Sequence, residues 1–275
     1  MSQVAEAVVE GTLPGRVWLY SNYNCNLACN YCLTESSPQS ARRELTGKQM
    51  VEVATEARAL GFTGLGVTGG EPFLRPDLPE ILLQLADILP VVVLTNATLF
   101  NESRRERLRP LAGAAIQMQV SLDRPDPIVN DEMRGPGNFA KVVEAIPLLI
   151  DMGIHVRIAT TAEHIEEDDR VRLCELHRRL GISDDDHIVR PVVRRGRAVD
   201  FDMGVEAGAP DLPAELTITA DGAFWSPFGP TVRQGELDLD LLVTRTTRPL
   251  ATPASALLRL VEGRPPGGDT QLNIR

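Results

Sequence analysis

From Arg16 to Val193 the sequence alternates short apolar runs with longer stretches of helical periodicity, and few folds accept that rhythm. Strands are predicted at Arg16–Tyr20, Leu65–Thr68, Val91–Thr95, Ala115–Ser121, Ile154–Thr160 and His187–Val193. Val91–Thr95 is apolar without interruption, as expected of a strand covered on both faces of a parallel sheet. Between the strands, Thr46 and Gln49 form a capping box for a helix whose Met50, Val53, Ala54, Ala57 and Leu60 recur at three and four before Gly61 ends it. A second helix opens at Asp77, with Glu80 at the capping-box position. Others run from about Asn101, from Asn138 to Met152 and from Asp168 to Leu180. Such alternation implies parallel strands joined by right-handed crossovers. Six units are too few for a full eight-fold barrel, which leaves a doubly wound sheet or an open partial barrel. In either, a site is expected at the carboxyl ends of the strands.

The chemistry-bearing residues fall at those ends. Cys25, Cys29 and Cys32 follow the first strand with three and then two intervening residues. Soft thiolates select zinc, copper(I) or iron-sulfur centres, and structural zinc or a closed cluster takes four protein ligands. The remaining cysteine, Cys174, lies far downstream among Leu173, Leu176 and Leu180, where it reads as a small core hydrophobe. The triplet is therefore read as a [4Fe-4S] site with one iron open to a small molecule, the alternative being a zinc clip or three buried thiols. Gly69-Gly70-Glu71-Pro72 ends the second strand, Thr95-Asn96 the third and Ser121-Leu122-Asp123 the fourth. Paired glycines allow close backbone approach, and a carboxylate at a strand end can accept hydrogen bonds from an ammonium. Asp123 can equally form a turn with Arg124-Pro125. Arg190, Arg194, Arg195 and Arg197 cluster at the end of the last strand, either to receive an anion or as a solvated loop; Arg190, inside the strand pattern, is the best candidate for substrate contact.

With Tyr31 immediately before the last cysteine, and with the glycine pair, Ser121-Leu122-Asp123 and Arg134-Gly135-Pro136-Gly137-Asn138-Phe139 following in order, residues 16–200 resemble the radical S-adenosylmethionine (SAM) enzymes. The likeness is to the branch that includes the molybdenum-cofactor and the peptide- and cofactor-maturing (SPASM/twitch-type) enzymes. It implies a partial (β/α)6 barrel, with the arginine-glycine stretch opening a helix. It also implies one [4Fe-4S] cluster on Cys25, Cys29 and Cys32, with SAM as cofactor. Gly69, Gly70 and Glu71 would hold the methionine end of SAM, Tyr31 would lie beside the adenine, Ser121 and Asp123 would face the ribose, and Arg134 would clamp the carboxylate. Asn96 completes this set. Two positions depart from the common pattern: Arg124 stands where relatives commonly have glycine, and Asn130-Asp131 where they have histidine-aspartate.

The implied activity is reductive cleavage of SAM to methionine and a 5'-deoxyadenosyl radical that abstracts hydrogen from a small biosynthetic substrate, with a flavodoxin or ferredoxin as external electron donor. One alternative is maturation of a ribosomally made peptide, disfavoured because no separate peptide-recognition domain precedes the first strand. Another is a non-catalytic iron-sulfur or zinc binding module.

A formal charge of -10 argues against nucleic-acid or membrane partners, which favour a basic face. No apolar run is long enough to span a bilayer and the start lacks a signal peptide, so a cytoplasmic location is expected, consistent with thiols kept reduced. Residues 1–15 are expected to be a loose lead-in and 16–200 the catalytic core. Residues 201–275 would hold a linker marked by Gly204, Gly208, Pro210 and Pro213, a hairpin of Glu215–Thr219 and Ala223–Trp225, a helix from Pro253 to Val261 and a frayed end. This tail resembles the auxiliary-cluster appendage of the maturing enzymes but has no cysteine after Cys174, so a single cluster is expected. His155, His164, His177 and His187 are dispersed and suggest no second metal.

Overall fold

A computed structural model describes residues 2–163 and 165–263; the predicted frayed end and His164 lie outside them. The elements are α1 (Gln3–Val9), β1 (Arg16–Tyr20), α2 (Gly47–Ala59), β2 (Gly64–Thr68), α3 (Leu78–Ala86), β3 (Val91–Thr95), α4 (Glu102–Leu108), β4 (Ile116–Ser121), α5 (Pro127–Arg134), α6 (Asn138–Asp151), β5 (His155–Thr161), α7 (Glu167–Arg179) and β6 (His187–Arg190). Short strands β7 (Thr217–Ile218), β8 (Ala223–Phe224), β9 (Val232–Arg233), β10 (Glu236–Leu237) and β11 (Leu242–Thr244) follow, then α8 (Ala251–Glu262).

One sheet runs in the order β11-β8-β7-β1-β2-β3-β4-β5-β6. Strands β7 and β1 to β6 are mutually parallel. β8 and β11 complete the edge antiparallel. From β1 to β6 spatial order equals chain order, without the reversal that creates the switch point of a doubly wound sheet. The fold is the partial (β/α)6 barrel. The predicted tail hairpin forms as β7 and β8, and β7 extends the sheet beside β1, with Trp18 opposite Thr217. No helix among the described residues is long and apolar enough to cross a membrane.

The inner face is closed partway down by Trp18. Its register partner is Gly66, and a Cβ added there would fall 2.2 Å from the indole. The indole N–H donates to the buried carboxylate of Glu215 just ahead of β7. Glycine in mid-strand usually weakens a sheet; here it makes room for the ring.

Several expectations are corrected. The lead-in contains helix α1, capped by Ser2, whose hydroxyl accepts from the Ala5 N–H at 3.2 Å. Seven residues are too few for a clear period, and the helix is held by packing against α8. The stretch from Arg134 to Phe139 does lead into a helix, but its Arg134 also ends an unexpected one, α5, which begins at Pro127 with Asp126 accepting from the Ile128 and Val129 N–H groups at 2.9 and 3.2 Å. The next helix opens at Asn138. Asp77 precedes α3 without capping it, because its carboxylate binds Arg75 at 2.9 and 3.1 Å. β6 stops at Arg190 rather than Val193, since Pro191 has no N–H for the ladder.

Candidate active site

The cysteine loop leaves β1 and is bonded to the rest of the chain on several sides, including β9, where the Val232 N–H donates to the Leu33 carbonyl at 3.1 Å. Asn22 joins it to the glycine turn after β2. Its carbonyl accepts from the Gly70 N–H at 2.9 Å and its amide donates to the Glu71 carbonyl at 3.0 Å. The Glu71 N–H donates to the Asn24 carbonyl at 3.0 Å. A Cβ on Gly69 would lie 2.4 Å from the Asn22 carbonyl oxygen and one on Gly70 would lie 2.2 Å from that of Asn24. The close approach the glycines permit is thus to the cysteine loop itself. On another side the end of α5 supports the loop, the Asn30 N–H donating to the Met133 carbonyl at 3.0 Å. On a further side, Arg197 donates to the carbonyls of Cys29 and Ser36.

Cys25, Cys29 and Cys32 face one cavity of about 160 Å³ at the carboxyl ends of the strands, together with Tyr31, Gly69, Gly70, Asn96, Ser121 and Arg134. Asn96 reaches the Cys25 sulfur at 3.7 Å through its amide and bonds Asn26 at 3.0 Å. Burial pushes the Cys25 thiol up to about 12, with the nearby Glu71 adding to the effect, and burial raises Cys29 as well. Three soft donors lining one space suit the wider span of an iron-sulfur cluster, whereas no group of three His, Cys, Asp or Glu side chains among the described residues is placed to hold a single metal ion.

Two predicted residues stand behind the cavity wall. Glu71 is buried and accepts from the Phe73 N–H at 3.0 Å, the Thr95 hydroxyl at 2.8 Å and the Asn96 N–H at 2.7 Å. Desolvation raises its pKa, partly offset by these bonds. Asp123 is fully buried, pairs with Arg134 at 3.0 Å and accepts from the Thr161 N–H at 2.8 Å. The Tyr31 phenol donates to Asp123 and accepts from Arg134, closing a three-membered network. Against the desolvation that would lower it, Tyr31, Cys29 and Asp123 hold the Arg134 guanidinium well above its ordinary range.

The four arginines at and beyond the end of β6 separate. Arg194 pairs with Asp202 at 2.6 Å and Glu206 at 3.2 Å. Arg195 is buried on Asp240 at 2.5 Å and Asp238 at 3.3 Å. Arg197 holds the cysteine loop, a role that its place in an arginine-rich stretch concealed. Arg190 lines a second cavity of about 180 Å³ that shares Tyr31, Cys32, Thr68, Gly69 and Thr161 with the first. A larger space of about 590 Å³ opens at the opposite, amino ends of the strands beside Arg16, Gln117, His155 and Glu215, and none of the motif residues faces it. Cys174 is only half-buried. His177 at the end of α7 and His187 at the start of β6 meet edge to face at 4.3 Å, so these two are not dispersed.

A parallel partial barrel with three cysteines on the loop after its first strand defines a class of fold, and comparison with known proteins names it. The sequence pattern of the Radical SAM superfamily matches residues 19–177, and the chain belongs to that superfamily. It is 35% identical over 130 residues to a probable GTP 3',8-cyclase of Archaeoglobus fulgidus, covering 47% of this chain and 43% of that one. It is 37% identical over 139 residues to the antilisterial bacteriocin subtilosin biosynthesis protein AlbA of Bacillus subtilis, covering 50% of this chain and 31% of AlbA. The matched region thus spans less than half the length of these relatives. Among solved structures, native anSMEcpe with bound AdoMet shares the fold with a TM-score of 0.61 at 13% identity, covering 87% of this chain and 80% of that one. The superfamily's curated members similar to this chain are enzymes.

Proposed function

We propose that this enzyme cleaves SAM reductively at a single [4Fe-4S] cluster held by Cys25, Cys29 and Cys32, and abstracts hydrogen from a small biosynthetic substrate. The observation that carries this reading is the meeting of the three thiols with Gly69, Gly70, Asn96, Ser121 and Arg134 around one cavity at the strand ends. The donor set fits the cluster, because three soft sulfur donors on one loop line one cavity and suit iron, and a bound metal would replace the thiol protons. When bound, the cluster and SAM supply methionine and a 5'-deoxyadenosyl radical, given one electron from an external flavodoxin or ferredoxin.

The chain's own residues position that chemistry. Gly69 and Gly70 hold the methionine end of SAM, with Glu71 fixing the turn from behind through Thr95 and Asn96. Ser121 offers its hydroxyl to the ribose and Tyr31 lies beside the adenine. Arg134, oriented by Asp123, meets the SAM carboxylate. We read residues 16–200 as the catalytic core and the segment after residue 200 as an appendage without metal of its own.

Anaerobically reconstituted protein with dithionite is expected to release 5'-deoxyadenosine and methionine from SAM, and the Cys25→Ala, Cys29→Ala, Cys32→Ala triple variant to release neither. A loaded cluster whose reduced electron paramagnetic resonance (EPR) spectrum ignores SAM would instead identify a non-catalytic binding module. A ribosomally made peptide is the second substrate reading, favoured by the match to a bacteriocin biosynthesis protein. Its signature is a SAM-dependent mass change in a co-expressed precursor peptide.

A further inference from the structure

We propose that Arg190 is the recognition group for an anionic substituent, a carboxylate or a phosphate, on the substrate, and that the cavity it lines is the substrate subsite beside the three thiols. The inference rests on the SAM-cleaving reading above and adds the chemical class of what sits next to SAM.

Arg190 ends β6 opposite Thr161 of β5, and its carbonyl accepts from the Ala162 N–H at 2.9 Å, so its backbone is fixed. Its Nε is buried and has no hydrogen-bond partner among the described residues. An orphaned buried donor costs about 1–3 kcal/mol, more when charged, and is retained where a ligand completes it. The nearby carboxylates of Asp123 and Glu215 favour its charge but do not bond its Nε. Asp123 is engaged by Arg134, Tyr31 and Thr161, and Glu215 by Trp18. Burial, and after it the positive charge of Arg157, lowers the Arg190 pKa to about 10 against the pull of Tyr31, Asp123 and Glu215, so the guanidinium is still charged at neutral pH. Its three neighbours after β6 are bound to carboxylates or carbonyls, which leaves Arg190 as the member of that group directed to the cavity.

The remaining walls match one kind of guest. Tyr20, Leu33, Val192, Val193 and Phe228 supply apolar surface, and Phe228 comes from the segment after β8. A cation set in apolar walls binds an anion more strongly than one in water. Sharing Tyr31, Cys32, Gly69 and Thr161 with the first cavity places the guest within reach of a radical formed there.

Saturation-transfer NMR with phenylacetate and phenyl phosphate, at fixed ionic strength and saturating SAM, tests this. One of the two probes is expected to bind the cluster-loaded wild type, and which one binds separates carboxylate from phosphate. Arg190→Gln is expected to weaken binding at least tenfold, Arg190→Lys to restore part of it, and Arg194→Gln to change nothing. The SAM-induced change in the reduced cluster's EPR spectrum is expected to survive in Arg190→Gln. Equal binding in Arg190→Gln, binding of neither probe, or displacement of the probe by SAM overturns the proposal, as does loss of the SAM-induced change in Arg190→Gln or, should that variant not fold, in Arg190→Lys. A wild type lacking that EPR change would instead count against the SAM-cleaving reading, so the two failures are distinguishable.

Discussion

The Arg197 guanidinium donates to the Cys29 carbonyl at 2.6 Å, joining residues 168 positions apart. A second donation reaches the Ser36 carbonyl at 3.0 Å, and the Arg197 N–H bonds the Cys32 carbonyl at 2.9 Å. Gly196, at φ +57°, packs so closely that an added Cβ would lie 2.3 Å from the Leu33 carbonyl oxygen. Arg197→Ala removes both side-chain bonds, with an expected stability loss of about 2 kcal/mol. The more telling readout is iron bound per chain after anaerobic reconstitution. It should fall in Arg197→Ala and recover in part in Arg197→Lys, which keeps one donor. Unchanged iron content in folded Arg197→Ala would show that the loop's remaining contacts suffice.

The contact between Trp18 and Gly66 makes a second prediction. Gly66→Ala forces a methyl into a ring 2.2 Å away within a fully buried layer. Overpacking of this kind costs about 1–3 kcal/mol, and Trp18→Ala, which empties the layer and strands Glu215, about 3–5 kcal/mol. Urea midpoints check both. The double variant should lose less than the sum, because alanine at position 18 leaves room for alanine at 66.

Much of this was legible in the sequence, for identifiable reasons. The six core strands and the helices between them announce themselves by period, and the cysteine spacing is local. What escaped depends on contacts between distant residues. β7 was expected as one arm of a hairpin, but its parallel pairing with β1 was not. The Asn130 amide oxygen accepts from the Asp123 N–H at 3.2 Å and its nitrogen donates to Asn138 at 2.9 Å, tying the turn after β4 to the start of α6. At the sequence level Asn130 was only a departure from the histidine common in relatives. α5 did carry a signal, since Asp126-Pro127 is an N-cap followed by proline at N1. The glycine turn and Glu71 were anticipated as ligand contacts, but their closest partners are the cysteine loop and the end of β3.

The histidine pair gives the fold an acid sensitivity. His177 is buried with neither ring nitrogen hydrogen-bonded among the described residues, and burial, then His187, push its pKa down to about 3. Burial lowers His187 too, opposed by Asp184. A depressed histidine is neutral in both states above its unfolded value of about 6.5 and costs nothing there. Below that, the unfolded chain takes up the proton first, so stability falls as pH drops toward 3, by up to about 1.4 kcal/mol per pH unit for one group. His177→Leu is expected to flatten the decline in urea midpoint between pH 6.5 and 4.5. An unchanged slope would place the acid sensitivity elsewhere.

The network of Tyr31, Asp123 and Arg134 separates folding from cofactor contact. Asp123→Ala leaves the Arg134 guanidinium buried without its carboxylate, and breaking a buried pair in this way costs about 3–5 kcal/mol. Arg134→Leu strands Asp123 in turn, although Asp123 keeps the Thr161 N–H and the Tyr31 hydroxyl, so the loss should be smaller. Removing both partners should cost less than the two single losses together, the mark of a coupled pair. Affinity for SAM, read from the EPR change of the reduced cluster, should follow a different order. Arg134 faces the cavity and Asp123 acts through it, so a folded Arg134→Leu should lose SAM binding most. Asp123→Asn, which can still accept one bond from Arg134, should lose less, and Tyr31→Phe, which keeps the ring, least. If SAM binding instead tracked stability across the three variants, the network would be a fold element alone and the SAM carboxylate would be held elsewhere.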